Sequence, residues 1–239
     1  MDTHLDILRD FLLSIGLPFS HDMEKQFSIY MKLLQESPHN VTAIKDPFEI
    51  VVKHFIDSLF LAKFYPNLKK GIKIIDIGTG GGFPGIPLKI IFPNLELFLV
   101  ESVKKKTDFL KLLIDNLNIS GIIILRERAE ILGQKKDLRE RFDIVVSRAV
   151  APLPVLLEIT SPFAKVGGTL IAYKGEDVRE ELRGAKRALE TFNLIIDDIY
   201  FYRLPIIDHK RSLVFFEKTK KLSDRYPRRP GIPQKRPLT

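Results

Sequence analysis

Apolar residues in the first 65 or so positions recur at helical spacing. Leu5, Leu8, Leu12 and Ile15 fall on one face, and Gly16-Leu17-Pro18 ends that run. A second helix is expected over Asp22 to Gln35. A third is expected to begin near Pro47 and to carry Ile50, His54, Ile56 and Leu59 or Phe60. From residue 72 the period changes. Short, almost wholly apolar runs cover Ile72–Ile77, Leu95–Glu101, Ile122–Arg126, Phe142–Ser147, Thr169–Lys174, Leu194–Tyr200 and Ser212–Glu217. Amphipathic helices are expected between them. Val103–Leu117 stripes Leu110, Leu113, Ile114 and Leu117. Glu176–Phe192 stripes Val178, Leu182, Ala185, Leu189 and Phe192. Strands apolar on both faces, alternating with helices, indicate an α/β protein whose parallel sheet is covered on both sides. The last two runs have no helix between them, so they should pair antiparallel. The expectation is a sheet of about seven strands, mostly parallel, with an antiparallel final hairpin and an N-terminal helical extension.

Composition sharpens this picture in two places. The chain has 239 residues and no cysteine, so disulfide-linked partners and thiolate metal sites are impossible. No apolar run reaches the roughly 20 residues of a membrane span, and the acidic start lacks the basic run of a signal peptide. A cytoplasmic chain, read as a monomer, is the simplest expectation. The net charge of +8 is concentrated in residues 218–239. There, Lys218, Lys220, Lys221, Arg225, Arg228, Arg229, Lys235 and Arg236 stand against Asp224 alone. Such a tail suits contact with a phosphate backbone and equally suits a solubilising extension. The expected division is a helical region 1–66, a core 67–217 and a basic tail 218–239.

Candidate chemistry begins at "IIDIGTGGGFPG", Ile74 to Gly85, directly after the first strand. In open parallel sheets ligands bind at the carboxyl ends of the strands, and glycines there let backbone approach the ligand. A phosphate-cradling loop would need Lys-Ser/Thr after Gly85, where Ile86 and Pro87 stand instead. A dinucleotide fingerprint starting at Gly78 would end on Phe83, whose ring obstructs close helix–strand packing. An acid two residues before G-x-G-x-G fits fully: Asp76, Gly78, Gly80 and Gly82. This arrangement resembles the S-adenosylmethionine (SAM) loop of Rossmann-like class I methyltransferases. Asp76 suits the ammonium end of SAM, directly or through water. Glu101, at the second strand tip, suits a ribose diol of SAM or NAD alike. Arg128-Ala129-Glu130 follows the third strand, where an adenine would lie, and Ser147-Arg148-Ala149 follows the fourth.

The resemblance then narrows. "NVTAIKDP" (Asn40–Pro47), "KHFIDSL" (Lys53–Leu59), "DIGTGGGFPGIPL" (Asp76–Leu88), "RAEIL" (Arg128–Leu132), "FDIVVSRAVAPL" (Phe142–Leu153), "AYKG" (Ala172–Gly175) and "YPRRPGIPQKRPL" (Tyr226–Leu238) span nearly the whole chain. Together they are similar to the bacterial RsmG (GidB) methyltransferases. That resemblance implies methylation of N7 of a guanine in small-subunit (16S) rRNA, with SAM as cofactor and the rRNA or the small ribosomal subunit as partner. It implies SAM contacts at Gly78, Phe83, Ala129, Glu130 and Arg148.

Guanine N7 carries a lone pair and no proton, so its methylation needs no base and can rest on positioning. The absence of cysteine excludes a covalent thiolate route. The Ser-Arg-Ala tip differs from the Asn/Asp-Pro-Pro-aromatic motif of exocyclic amino methylation. Arg148 can hold SAM, guanine O6, or both. Lys174, ending the fifth strand, is a second candidate at the reacting end. RNA contacts are expected at Lys104, Lys105 and Lys106, whose charge opposes the helix dipole, and at Arg225, Arg228, Arg229, Lys235 and Arg236. A merely solvated face explains the lysines equally well. His54 and Asp57, both in the third helix, read as a structural pair making interhelical hydrogen bonds, and the histidines lack metal-ligand spacing. Two other readings stay open: a small-molecule methyltransferase, and an RNA-binding assembly factor on a SAM fold. Removing 218–239 is expected to weaken RNA binding and leave SAM affinity nearly unchanged.

Overall fold

The computed structural model describes residues 3–38, 40–65, 68 and 71–239. The expected boundary at 66/67 lies outside the described residues. The N-terminal helices are α1 (Thr3–Ser14) and α2 (His21–Glu36). Ser20 caps α2 by accepting from the Met23 N–H, and Asp22 and Glu24 lie in its positive first turn. The third helix starts at α3 (Pro47–Ile50), capped by Asp46. It widens to a π-helical stretch over Val51–Ile56 and returns to α-helix in α4 (Asp57–Phe64).

Strands β1 (Lys73–Ile77), β2 (Glu96–Val100), β3 (Ile122–Leu125), β4 (Phe142–Arg148), β5 (Ala164–Lys174), β6 (Leu194–Arg203) and β7 (Lys210–Lys218) form one sheet in the order β3-β2-β1-β4-β5-β7-β6. All neighbours pair parallel except β7, which lies antiparallel between β5 and β6. Between the strands lie α5 (Gly85–Ile91), α6 (Lys104–Leu117), α7 (Ala129–Leu132), α8 (Leu153–Thr160), α9 (Val178–Arg183) and α10 (Lys186–Phe192); α11 (Ile232–Lys235) follows the sheet.

Successive side chains of a strand face opposite sides, and this sorts the apolar runs into two cores. Ile74, Leu97, Leu99, Ile144 and Phe215 face the side covered by the N-terminal helices, α5 and α6. Ile75, Phe98, Val145, Leu170 and Phe216 face the side covered by α8 and α10. The N-terminal helices therefore complete one of the two cores; they are continuous with it rather than appended.

Three expectations change. The helix expected over Glu176–Phe192 is two helices, α9 and α10, interrupted at Gly184, a residue that costs about 1 kcal/mol in a helix interior. Its apolar stripe survives the break, with Val178, Ala185 and Phe192 fully buried. Helix α8 was not foreseen. Every residue of it is buried, so it has no polar face and no helical period to detect. Residues 218–239 are not a free tail. Lys218 is fully buried and donates to Glu140, Ser161 O and Ala164 O. Arg228 grips the fully buried Glu158 of α8 through Nε and Nη2 at 2.8 and 2.5 Å. The segment is a strap bound to the face of α8. Removing it would expose that buried carboxylate, so deletion of 218–239 disturbs the core as well as the surface charge and does not isolate an RNA contact.

Candidate active site

Strand order reverses between β1 and β4, the place where α/β sheets open a crevice for a ligand. The loop after β1 is pinned there by its own backbone: Gly78 N and Thr79 N both donate to Val100 O, at 2.9 and 3.1 Å. Gly78 has φ +72°, and a Cβ on it would stand 2.5 Å from Val150 Cγ2. Glycine is required on both counts.

Two cavities flank this contact, and Gly78, Val150 and Ala151 line both. The larger, of about 720 Å³, also takes in Gly80, Phe83, His54, Arg148, Lys174 and Arg211. The smaller, of about 170 Å³, takes in Glu101, Ala129, Glu130, Pro233 and Gln234. The structure thus brings Gly78, Gly80, Phe83, Arg148 and Lys174 to one side and Glu101, Ala129 and Glu130 to the other.

Two expected ligand contacts lie elsewhere. Asp76 is fully buried beneath the loop and lines neither cavity. Its Oδ2 accepts from Thr79 Oγ1 at 2.7 Å and from Gly85 N at 2.9 Å, so it braces the turn. Burial raises its pKa to about 7, and Oδ1 has no partner. Gly82 also faces inward. Its φ is +103°, and a Cβ would meet Tyr30 Oη at 2.6 Å and Ile86 Cγ1 at 2.8 Å. It lets α2 and α5 pack against the loop and does not face a ligand.

At the tip of β2, Glu101 accepts from Val103 N at 2.8 Å and Gly80 N at 3.2 Å, which joins the two loops. Glu130 accepts from Arg128 Nη2 at 3.0 Å and from Gly231 N at 3.2 Å. Lys106 lies 4.0 Å from Glu101, and Lys104 pairs with Asp108 one helical turn on. Lys105 is exposed.

The larger cavity is organised by Arg148. Its Nη1 donates to Asp57 Oδ2 at 2.8 Å and to Lys53 O at 3.2 Å, and its Nη2 lies 3.3 Å from His54 Nδ1. The guanidinium also sits over the Phe83 ring, 5.0 Å from its centroid. The shared partner of His54 and Asp57 is therefore not another helix, as the sequence suggested, but Arg148 at the tip of β4. The π-helical turn places the Lys53 carbonyl and the His54 ring on the same side as Asp57, and such turns recur at functional sites. Asp57 also accepts from Tyr202 Oη at 2.8 Å, which ties the N-terminal helices to β6. Lys174 is not free to reach outward. It donates to Ala151 O and to Glu181, both within 2.8 Å.

His54 stacks on Phe83 at 4.4 Å and meets Thr42 Oγ1 through Nε2 at 2.7 Å. Burial, then the Arg148 charge, lowers its pKa to about 3. The folded state therefore excludes a proton that the unfolded chain binds below about 6.5. This contribution to stability is present above pH 6.5 and is lost as pH falls toward 3. We expect His54→Gln to lower the slope of stability against pH in that window, by up to about 1.4 kcal/mol per pH unit. Denaturant titrations of both proteins from pH 4 to 7 measure the difference. Asp76 acts in the opposite sense over about pH 4–7 in both proteins, and cancels in that comparison.

Several site residues carried no recognised role in the sequence. Val41, Thr42 and Ile44 wall the cleft from the loop before α3. Tyr30 stacks on Phe83 and donates to Gly81 O. The i, i+3 spacing of His54 and Asp57 on one helix face was the available signal for the Arg148 clamp.

Strand order, the antiparallel seventh strand, and a crevice between the β1 loop and the β4 tip define a Rossmann-like, SAM-dependent class I methyltransferase. The chain fits that cofactor. Gly80 opens bare backbone to the larger cavity, with only Gly78 O within 4 Å of where its Cβ would stand. Val100, Ala129 and Ile159 offer apolar walls, and the Glu101 carboxylate sits beside them for a diol. Solved structures agree on the fold. A putative O-methyltransferase from Klebsiella pneumoniae superposes with TM-score 0.57 at 13% identity, covering 89% of this chain and 96% of its own. A putative RNA methyltransferase from Pyrococcus horikoshii gives 0.53 at 12%, covering 82% and 100%.

The family is identified by sequence. The profile of rRNA small subunit methyltransferase G (GidB) matches residues 23–204, and the chain belongs to this family. A ribosomal RNA small subunit methyltransferase G from Carboxydothermus hydrogenoformans is 43% identical over 233 residues, covering 97% of this chain and 98% of the relative. One from Bacillus cereus is 42% identical over 225 residues, covering 93% and 94%.

Proposed function

We propose that this chain transfers the SAM methyl group to N7 of a guanine in 16S rRNA, in the cytoplasm, on free rRNA or on the small subunit. The relatives' names supply the RNA class. The observation that carries the chemistry is the Arg148 clamp at the β4 tip, built beside Gly78 with no free base around it. When bound, SAM supplies a methyl group on a positively charged sulfur, ready for direct displacement. The protein's work is to hold the acceptor in line, at a reacting distance of about 3–3.5 Å.

The residues present suit positioning better than proton transfer. His54 stays neutral above about pH 3, and its two ring nitrogens face Thr42 and Arg148. Asp76 is walled off beneath the loop. N7 loses no proton, so neither group is needed as a base. Arg148 is fixed by Asp57 on one edge and by Phe83 on its face, and it offers donors of the kind that read guanine. Phe83 supplies an apolar wall.

Arg228 drops out of the RNA contacts, because Glu158 occupies it. Arg225, Arg229, Lys235 and Arg236 remain exposed, as do Lys104 and Lys105. If these carry phosphate contacts, Lys105→Ala and Arg225→Ala should each reduce the slope of log K against log salt by about 1. SAM affinity should not change. Filter binding of rRNA across a salt series checks this, and an unchanged slope removes that residue from the interface.

The substrate class is tested with methyl-labelled SAM and two acceptors: unmethylated small subunits and deproteinised 16S rRNA. Label recovered in RNA supports the proposal. Label only in small molecules supports a small-molecule enzyme, and RNA binding without label supports an assembly factor.

A further inference from the structure

The smaller cavity is closed on one side by residues that follow the sheet by some fifteen positions, and they are held there by a series of specific anchors. Arg139 donates to the carbonyls of Leu222, Ser223 and Tyr226 at 3.2, 3.0 and 2.7 Å. Gln134 donates to Pro227 O at 2.9 Å. Arg228 grips Glu158, and its Nη2 also donates to Arg236 O at 2.8 Å, which closes the last turn onto the strap. Gly231 N then donates to Glu130 Oε1. These anchors deliver α11 to the cavity, where Pro233 and Gln234 face the same space as Glu101, Ala129 and Glu130. Pro233 is buried and Gln234 is exposed. Every other wall of this cavity comes from the sheet tips or from the loops and helices that follow them.

We propose that α11 is the outer wall of the cofactor site, with Pro233 packing and Gln234 hydrogen-bonding against the adenosine half of SAM. This rests on the SAM reading of the glycine loop. The small cavity takes the adenosine half because Glu101 directly follows β2 and Ala129-Glu130 open α7 after β3 there, and because Ile77, Val100, Val155 and Ile159 line it with apolar surface. The large cavity, with Arg148 and the π-helical turn, is left for the reacting end. Glu130 joins the two functions, since the carboxylate lining the cavity is the one that receives the strap's Gly231 N–H. Cofactor binding and strap docking are then coupled, and the coupling is reciprocal: the strap raises SAM affinity, and SAM holds the strap down.

The test uses the full chain and isothermal titration with SAM and with S-adenosylhomocysteine. Gln234→Ala should weaken both by about 3–10-fold, the worth of one ordinary hydrogen bond. Gln234→Trp should weaken both further, because its indole fills the cavity. Circular dichroism and thermal melting should match wild type for both variants, as position 234 is exposed. Independently, saturating SAM should slow tryptic cleavage after Arg228 and Lys235 in the wild-type chain, and should do so less in Gln234→Trp. Unchanged affinities in both variants, with cleavage indifferent to SAM, would overturn the proposal while leaving the cofactor reading in place. A wild-type chain that bound no SAM would overturn both.

Discussion

Asp57→Ala is expected to destabilise the protein by about 3–5 kcal/mol, the cost of stranding one member of a buried ion pair. Asp57 is 3% exposed and takes Arg148 on Oδ2 and Tyr202 Oη on Oδ1. Its loss leaves the Arg148 guanidinium, 12% exposed, with only neutral partners. It also leaves the Tyr202 hydroxyl without its acceptor in a buried setting. Asp57→Asn should cost less, because the amide oxygen still accepts, while the charge that holds Arg148 is lost. Urea unfolding measures the stability term. The functional signature is separate. The Asn variant should remain folded and lose methyl transfer in step with Arg148→Ala, and the double variant should be little worse than either single one. Additive losses would mean that Asp57 and Arg148 act independently.

The second large effect lies far from the cleft. Arg228→Ala should destabilise by about 3 kcal/mol, at the lower end of the buried-pair range because Arg228 itself is partly exposed. The residue left behind is Glu158, which is 0% exposed in a helix whose other residues, apart from Thr160, are apolar. It receives Arg228 Nε, Nη2 and the backbone N–H of Arg228, the last at 2.9 Å. An apolar pair, Glu158→Leu with Arg228→Met, should restore most of the loss, since neither partner then carries an uncompensated charge. Thermal melts of the three proteins decide it. A double variant as unstable as Arg228→Ala would mean that the strap depends on more than this contact.

Much of the fold could be read from the sequence because its signals were local. The seven apolar runs became β1 to β7 with ends shifted by a few residues, and the missing helix between the last two gave the antiparallel hairpin. What was not legible depended on burial from both sides or on distant partners. Helix α8 has no polar face. Gly184 interrupts a helix whose stripe continues unbroken. The glycine motif located the site, yet spacing could not tell which members face a ligand: Gly78 lines both cavities, while Gly82 serves packing and Asp76 serves the turn. The basic tail shows the same limit. A run of lysines and arginines looks like a surface for phosphate until the structure reveals Lys218 on Glu140 and Arg228 on Glu158. Arg148 was found at its strand tip, and its pairing with His54 and Asp57, more than 90 positions earlier in the chain, was not.

The central claim is the atom that receives the methyl group. Small subunits lacking the modification should be incubated with methyl-labelled SAM and the purified chain, and the rRNA then digested to nucleosides. The account predicts that the label elutes as 7-methylguanosine, from a single position, and that Arg148→Ala abolishes it. Label on any other atom would contradict the account; an exocyclic amine, a ribose hydroxyl or a pyrimidine carbon would in addition have to lose a proton, for which the described residues of this cleft offer no free base.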